Sequence, residues 1–215
     1  MNVKLFSSVL ILCFGTLLNS TFSFGQTSAL YFEGTPGSVS NGNGTLSSAD
    51  GYTIVDNTDF QNADGIVNFF IDTTNPIKDY YVDFATANSA LLEPGLYTEA
   101  TRYPFNFSPS GNTNGLDFFG NSVGYNTLAG EFDVIEVEYS PTDVITSLAA
   151  DFIQTGDGNS AFQDYGSIRY NSEVPLDILD DVPTSLPDPE PSTWALFTES
   201  LGLLTFWTFL RRSNS

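Results

Sequence analysis

The spacing of apolar residues restricts this chain more than any other feature. Short runs of β-branched and aromatic residues recur from about residue 29 to residue 170. Clusters of Gly, Asn, Ser and Asp separate them, and no stretch between sustains a helical period. That punctuation predicts strands joined by tight turns, since Gly and Asn accept positive φ. Candidate strands are Ala29–Glu33, Tyr52–Asp56, Ile66–Asp72, Asp79–Ala85, Gly95–Thr101, Glu131–Tyr139, Val144–Gln154 and Gly166–Tyr170. Ser40-Asn41-Gly42-Asn43-Gly44-Thr45 and Gly156-Asp157-Gly158-Asn159 are read as turns. The expected fold is all-β: a single antiparallel, jelly-roll-like β-sandwich over residues 26–172.

One pair of strands is the most sharply defined. Phe132 and Val134 point one way. The alternation then slips at Ile135, and Val137 and Tyr139 continue in the shifted phase, as one extra residue in a β-bulge requires. Ser140-Pro141-Thr142-Asp143 forms the turn, and the return strand places Leu148, Ala150 and Phe152 on one face. This hairpin is expected at the centre of the core. Tyr80, Val82 and Phe84 are expected to point inward from their own strand.

Charge and composition narrow the function. The formal net charge is −20, with Lys and Arg together numbering 6 against 26 Asp and Glu. Such a surface repels nucleic acid and anionic lipid headgroups, so no nucleic-acid partner is expected. Phe and Tyr are plentiful, which argues for a folded core over disorder. There is no histidine, which removes the Ser-His-Asp triad, the usual zinc sites and the commonest general base.

The two ends carry a different signal. Lys4, the apolar stretch Leu5–Leu18 and the small-x-small site Ser23-Phe24-Gly25 predict a secretory signal peptide over residues 1–25. The single cysteine, Cys13, leaves with it, so no disulfide or thiol chemistry is expected in the mature chain. From Glu173 to Asp188, prolines 175, 183 and 187 alternate with acidic residues, which predicts an extended spacer. Beyond it come Pro189-Glu190-Pro191-Ser192, an almost wholly apolar run from Trp194 to Leu210, and Arg211-Arg212. That run reaches roughly the lower limit of a membrane-crossing helix, about 17–25 residues. The arginine pair predicts a cytoplasmic C-terminus and a body outside the inner membrane. Glu199 interrupts the run, which makes the anchor marginal.

This tail, residues 189–212, resembles the PEP-CTERM sorting signal of Gram-negative bacteria, in which a Pro-Glu-Pro motif, a short transmembrane helix (here 194–210) and a basic cluster are processed by a membrane protease, exosortase. The resemblance implies sorting residues Pro189, Glu190, Pro191, Ser192, Arg211 and Arg212. It implies exosortase and the inner membrane as transient partners, with delivery to the cell surface or the extracellular, exopolysaccharide-rich matrix. The body resembles a group of bacterial exported β domains through Gly95-Leu96-Tyr97-Thr98-Glu99-Ala100-Thr101-Arg102-Tyr103-Pro104-Phe105, Gly115-Leu116-Asp117, Asn126–Val134, Ala149–Gln154 and Gly166–Ser172. Members of that group often carry two cysteines where this chain has Tyr125 and Gly156. The group brings no activity with it.

Four constellations are candidate sites. Glu131-x-Asp133-x-x-Glu136 resembles the motif of clan B retaining β-glucanases and agarases, in which a bulged strand carries a nucleophile, a helper aspartate and an acid/base on one face. The simpler reading is a solvated acidic strand face. Arg102 and Arg169 are candidate binders of an anionic ligand, or else partners of local aspartates such as Asp117 and Asp151. Asp157-Gly158-Asn159 and Asp56-Asn57-Thr58-Asp59 offer oxygens that suit calcium, or are plain turns; no other cofactor is implied. Aromatics such as Tyr80, Tyr81, Tyr97, Tyr103, Phe105 and Phe107 are candidates to stack on sugars or to fill the core, with Tyr103-Pro104-Phe105-Asn106-Phe107 the segment most suited to exposure. The leading expectation is a non-catalytic surface or matrix protein associated with exopolysaccharide. A retaining glycoside hydrolase using Glu131 and Glu136 and a calcium-dependent surface-layer component are the alternatives.

Overall fold

The structure, a computed structural model, describes residues 27–57, 66–72, 79–106 and 113–186. The expected signal peptide, the sorting motif at 189–192, the apolar run 194–210 and Arg211-Arg212 lie outside the described residues. Among the described residues no helix is long and apolar enough to cross a membrane.

The fold is all-β, as expected. Its strands are β1 (Thr27–Gly34), β2 (Asn43–Ser47), β3 (Thr53–Asp56), β4 (Ile66–Asp72), β5 (Tyr80–Ala85), β6 (Gly95–Arg102), β7 (Gly115–Gly120), β8 (Leu128–Tyr139), β9 (Ile145–Gly156) and β10 (Gln163–Ser172). Each candidate strand has a counterpart. Two strands go beyond the expectation. Asn43–Thr45, expected as turn, belongs to β2, and β7 has no counterpart among the candidates.

Hydrogen bonding runs through one ten-stranded sheet in the order β2-β1-β10-β9-β8-β6-β7-β5-β4-β3. Every neighbouring pair is antiparallel except β6 and β7. The sheet is curled nearly into a barrel, and its connectivity explains why. β2 and β3 stand at opposite ends of the strand order, yet only a turn of 3-10 helix at Ser48–Asp50 and two further residues join them. The two halves therefore face each other across one interior. Phe32 of β1 meets Tyr80 of β5, with ring centroids 5.1 Å apart, and Phe69 of β4 meets Tyr170 of β10 at 5.2 Å.

The interior is aromatic. Phe69, Phe84, Phe118, Phe132 and Phe152 are fully buried, with Leu30, Ile71, Leu116, Leu148 and Ile168 around them. Burying each such side chain contributes about 1.5–3 kcal/mol. The expected inward faces are observed: Tyr80, Val82 and Phe84 from β5, and Phe132, Val134, Leu148, Ala150 and Phe152 from the β8–β9 hairpin. The bulge lies where the phase slip placed it, since the register skips Ile135 between Val134↔Ala150 and Glu136↔Ala149. Val137 and Tyr139 then pack on the core. The hairpin turn is closed by Asp143 N–H donating to the Ser140 carbonyl at 3.0 Å.

The Pro-rich stretch does not lead away from the domain. Residues 173–186 lie along the outer face of β1, β10 and β9. Leu176, Leu179, Val182 and Leu186 pack there on Tyr31, Ile153 and Tyr165. Tyr31 donates to the Leu179 carbonyl at 2.6 Å, Tyr165 to Asp177 at 2.8 Å, and Arg169 Nε to the Pro175 carbonyl at 2.9 Å. Four apolar side chains at near-regular spacing outweigh the extending effect of the prolines and acids. The expected spacer is, up to Leu186, a strap on the sheet.

Candidate functional site

Three neighbouring strands each carry two consecutive aromatic residues: Phe69-Phe70 in β4, Tyr80-Tyr81 in β5 and Phe118-Phe119 in β7. Successive residues of a strand point to opposite faces, so each doublet sends one ring into the core and one outward. The register aligns the outward set, with Phe70 opposite Tyr81 and Tyr81 opposite Phe119. Ring centroids are 5.0 Å apart in the first pair and 4.7 Å in the second, where the planes differ by 6°. The result is a half-buried aromatic ladder across the outside of the barrel.

Two residues along, the same outward face is polar. Asn68, Asp83 and Asp117 align across β4, β5 and β7. Asn68 donates to Asp83, and Asp117 accepts from Arg102 Nε at 3.1 Å. Both carboxyls are almost completely buried, Asp83 at 6% and Asp117 at 2% exposure. Burial pushes the Asp83 carboxyl up to about 7, opposed by the Asn68 bond and reinforced by the neighbouring Asp117 charge. Burial likewise raises Asp117 to about 6, against the bond and charge of Arg102. The short parallel contact of β6 with β7, in which Arg102 faces Leu116, is what sets Arg102 beside Asp117.

Arg102 reaches from there to the rim of a cavity of about 530 Å3 lined by Asp79, Tyr81, Arg102, Phe119 and the loop Gly120–Asn126. The loop is shaped by a two-residue turn. Gly120 and Val123 exchange backbone bonds of 3.0 and 2.7 Å, and Asn121 and Ser122 both adopt positive φ, as a type I′ turn demands. Gly120 is obligatory, because a Cβ there would lie 2.5 Å from the Asp79 carbonyl. That carbonyl accepts from Asn121 N–H at 2.9 Å, which ties the loop to the start of β5. Asp79 is among the lining residues, and its Oδ1 is buried with no hydrogen-bond partner. Phe105, 70% exposed, lies on the Arg102 guanidinium with 4.3 Å from Cζ to the ring centroid. Aromatic rings, a guanidinium, a carboxylate and turn amides around a space of this size suit a small polar ligand with apolar faces.

The other candidates fall elsewhere. Arg102 and Arg169, the cations among the described residues, pair with Asp117 and Asp151, the aspartates expected for them, at 3.1 and 2.8 Å. Arg169, at 2% exposure, also donates to the carbonyls of Ala150, Ile168 and Pro175; it fixes the strap and is not open to a ligand. Tyr103 is half-buried beside Arg102, its N–H on the Leu116 carbonyl. Tyr80 and Tyr97 pack on the core; Phe107 lies outside the described residues.

Glu131, Asp133 and Glu136 do emerge on the side opposite the core, the bulge having restored their common facing. Glu131 accepts from the Leu186 N–H at 2.7 Å, so it holds the end of the strap. Glu136 accepts from Ser147 at 2.5 Å. Burial, and then the Asp151 charge opposite it, raise the Asp133 carboxyl. Asp157 spends Oδ1 on the N–H groups of Asn126 and Thr127, as a turn cap. Asp59 and Thr58 lie outside the described residues. No group of three or more metal-ligating side chains occurs among the described residues.

Sequence reading singles out Arg102 and Tyr81 but passes over Asp79, Phe119 and the 120–126 loop. The aromatic doublets are the available signal, because consecutive strand residues point to opposite faces and one ring of each doublet must therefore lie on the outer side.

No protein-family model, no curated protein and no solved structure matches the chain.

Proposed function

We propose that this is an exported protein, directed by an N-terminal signal peptide, sorted by exosortase through its C-terminal tail, and delivered to the cell surface or matrix. There its β domain adheres to extracellular polysaccharide as a structural, non-catalytic component. The facing halves of the curled sheet act in this reading as the two layers of a jelly-roll-like sandwich. The observation that carries the proposal is the cavity in which Tyr81 and Phe119 stand beside Arg102 and Asp79. Aromatic side chains complement the apolar C–H groups of a pyranose, and the charged groups complement its hydroxyls. The test is retention of the full chain, purified in detergent, on the native exopolysaccharide of the source bacterium. Wild type is retained and Tyr81→Ala is not; equal retention, or none of either, counts against the proposal.

A second reading, retaining glycoside hydrolysis, is favoured by the bulge that brings Glu131 and Glu136 to one face. It requires release of reducing sugar from β-glucan or agar that Glu131→Gln abolishes. The bonds of Glu131 to the strap and of Glu136 to Ser147 speak for a structural use of both carboxylates.

A further inference from the structure

We infer that Asp83 and Asp117 hold one proton between them, carried by Asp83, and that this proton latches β5 to β7. The latch is independent of what the domain binds.

The first ground is the register. Asp83 and Asp117 are direct cross-strand partners. Their chain neighbours Val82, Phe84, Leu116 and Phe118 belong to the core, so both carboxyls leave the sheet on its outer side. Opposed side chains on one face stand about 4.5–5.5 Å apart at Cβ. Both groups are nonetheless buried, at 6% and 2% exposure. Two carboxyls so close and so dry do not both ionise, because each charge raises the cost of the other.

The second ground is the charge count. From β6 comes Arg102, whose Nε donates to Asp117 Oδ2 at 3.1 Å. From β4 comes Asn68, a neutral group that donates to Asp83 Oδ1. Asn57, also neutral, donates to Asn68 at 3.0 Å. Tyr81 and Phe119, next along the same face, are uncharged rings. One guanidinium thus faces two carboxyls, and one bound proton makes the cluster neutral. Arg102 draws the negative charge to Asp117 and leaves the proton to Asp83. Burial raises both carboxyls, and Asp83, which lacks the guanidinium, the further: to about 7, against about 6 for Asp117.

The third ground is an oxygen without a donor. Asp117 Oδ1 is buried and unpaired. Native structures rarely leave a buried acceptor so. A neutral carboxyl has one O–H to give, and Asp83 is the group beside it that would carry one. When that proton passes to solvent, the donor is lost and two like charges remain against one cation. The latch is closed in acid and released as pH rises.

The test takes the full chain in detergent micelles, labelled with carbon-13, and follows the side-chain carboxyls of Asp83 and Asp117 by nuclear magnetic resonance with through-bond assignment to the backbone. At about pH 6, Asp83 is expected protonated and Asp117 ionised, when an ordinary aspartate has released its proton. Unfolding titrations supply a second readout. Between about pH 5 and about pH 8 the wild-type unfolding constant should rise at least about tenfold, and that of Asp83→Asn, whose amide keeps a donor, less than about threefold. Asp117→Asn takes the acceptor from Arg102 and should raise the unfolding constant at least about tenfold at about pH 5. Should either variant fail to fold, the wild-type spectra decide. Both carboxyls ionised at about pH 6, both protonated, or Asp117 the protonated one, each overturns the inference. So does an Asp117→Asn chain as stable as wild type.

Discussion

The ring of Tyr125 occupies the space in which any side chain at Gly156 would begin: a Cβ on Gly156 would lie 2.1 Å from the ring. The phenol beyond it donates to buried Asp164 at 2.6 Å. Asp164 also accepts from Ser38 Oγ at 2.8 Å and from Ser40 N–H at 2.9 Å, so this contact anchors the 35–42 loop. Tyr125 and Gly156 are thus in contact through an aromatic–glycine pair. Gly156→Ala is expected to lower the unfolding free energy by about 1–3 kcal/mol, since the ring must move off rotamer to admit the methyl. Asp164→Ala, which strands several buried donors, is expected to cost more than about 3 kcal/mol. Denaturant titration checks both, and a neutral Gly156→Ala would refute the contact.

Stability should fall as pH rises from about 4 to about 7. Asp83 and Asp117 are pushed up to about 7 and about 6 by burial, from an ordinary value of 3.8. Over that window the folded chain holds protons that the unfolded chain has released. Their contribution is therefore fully present below the unfolded value and is lost as pH climbs through the folded one. Each tenfold difference in proton affinity between folded and unfolded chain corresponds to about 1.4 kcal/mol. Asp83→Asn should flatten this slope in thermal melts taken across the range. A slope of the opposite sign that Asp83→Asn leaves unaltered would exclude the buried pair as its source.

The strap should unfold with the domain and not before it. Leu186 is buried, at 7% exposure, and its N–H is held by Glu131. Leu186→Ala is expected to cost about 2 kcal/mol and to raise amide exchange along 176–186. Replacement of Arg169 by Met should release the same segment, since three carbonyls and Asp151 lose their donor. Exchange in 176–186 as fast as in an unfolded chain, already in wild type, would mean that the strap is a free spacer.

Much of the barrel is legible in residue order because alternation and turn chemistry agree in the β8–β9 hairpin, down to the bulge at Ile135. β2 is hidden because glycine has two uses. Gly44 reads as turn material, but it is in the strand because the Phe32 ring lies where its Cβ would be, 2.8 Å away. The strap is hidden by composition: prolines and aspartates point to a spacer, whereas Leu176, Leu179, Val182 and Leu186 set the outcome. The cavity depends on lateral alignment of β5, β7 and β6, in which β7 pairs with β5 past the intervening β6 and runs parallel to β6. Arg102 stands out because cations are scarce; Asp79 does not, because one more aspartate among so many acidic residues carries no distinguishing mark.

Nuclear magnetic resonance mapping of an oligosaccharide from the native exopolysaccharide onto the labelled full chain tests the central claim most directly. The account predicts shifts concentrated on Tyr81, Arg102, Phe119, Asn121 and Ser122, with the Glu131–Glu136 strand silent. Shifts centred on Glu131 and Glu136, or no shifts at saturating sugar, would contradict it.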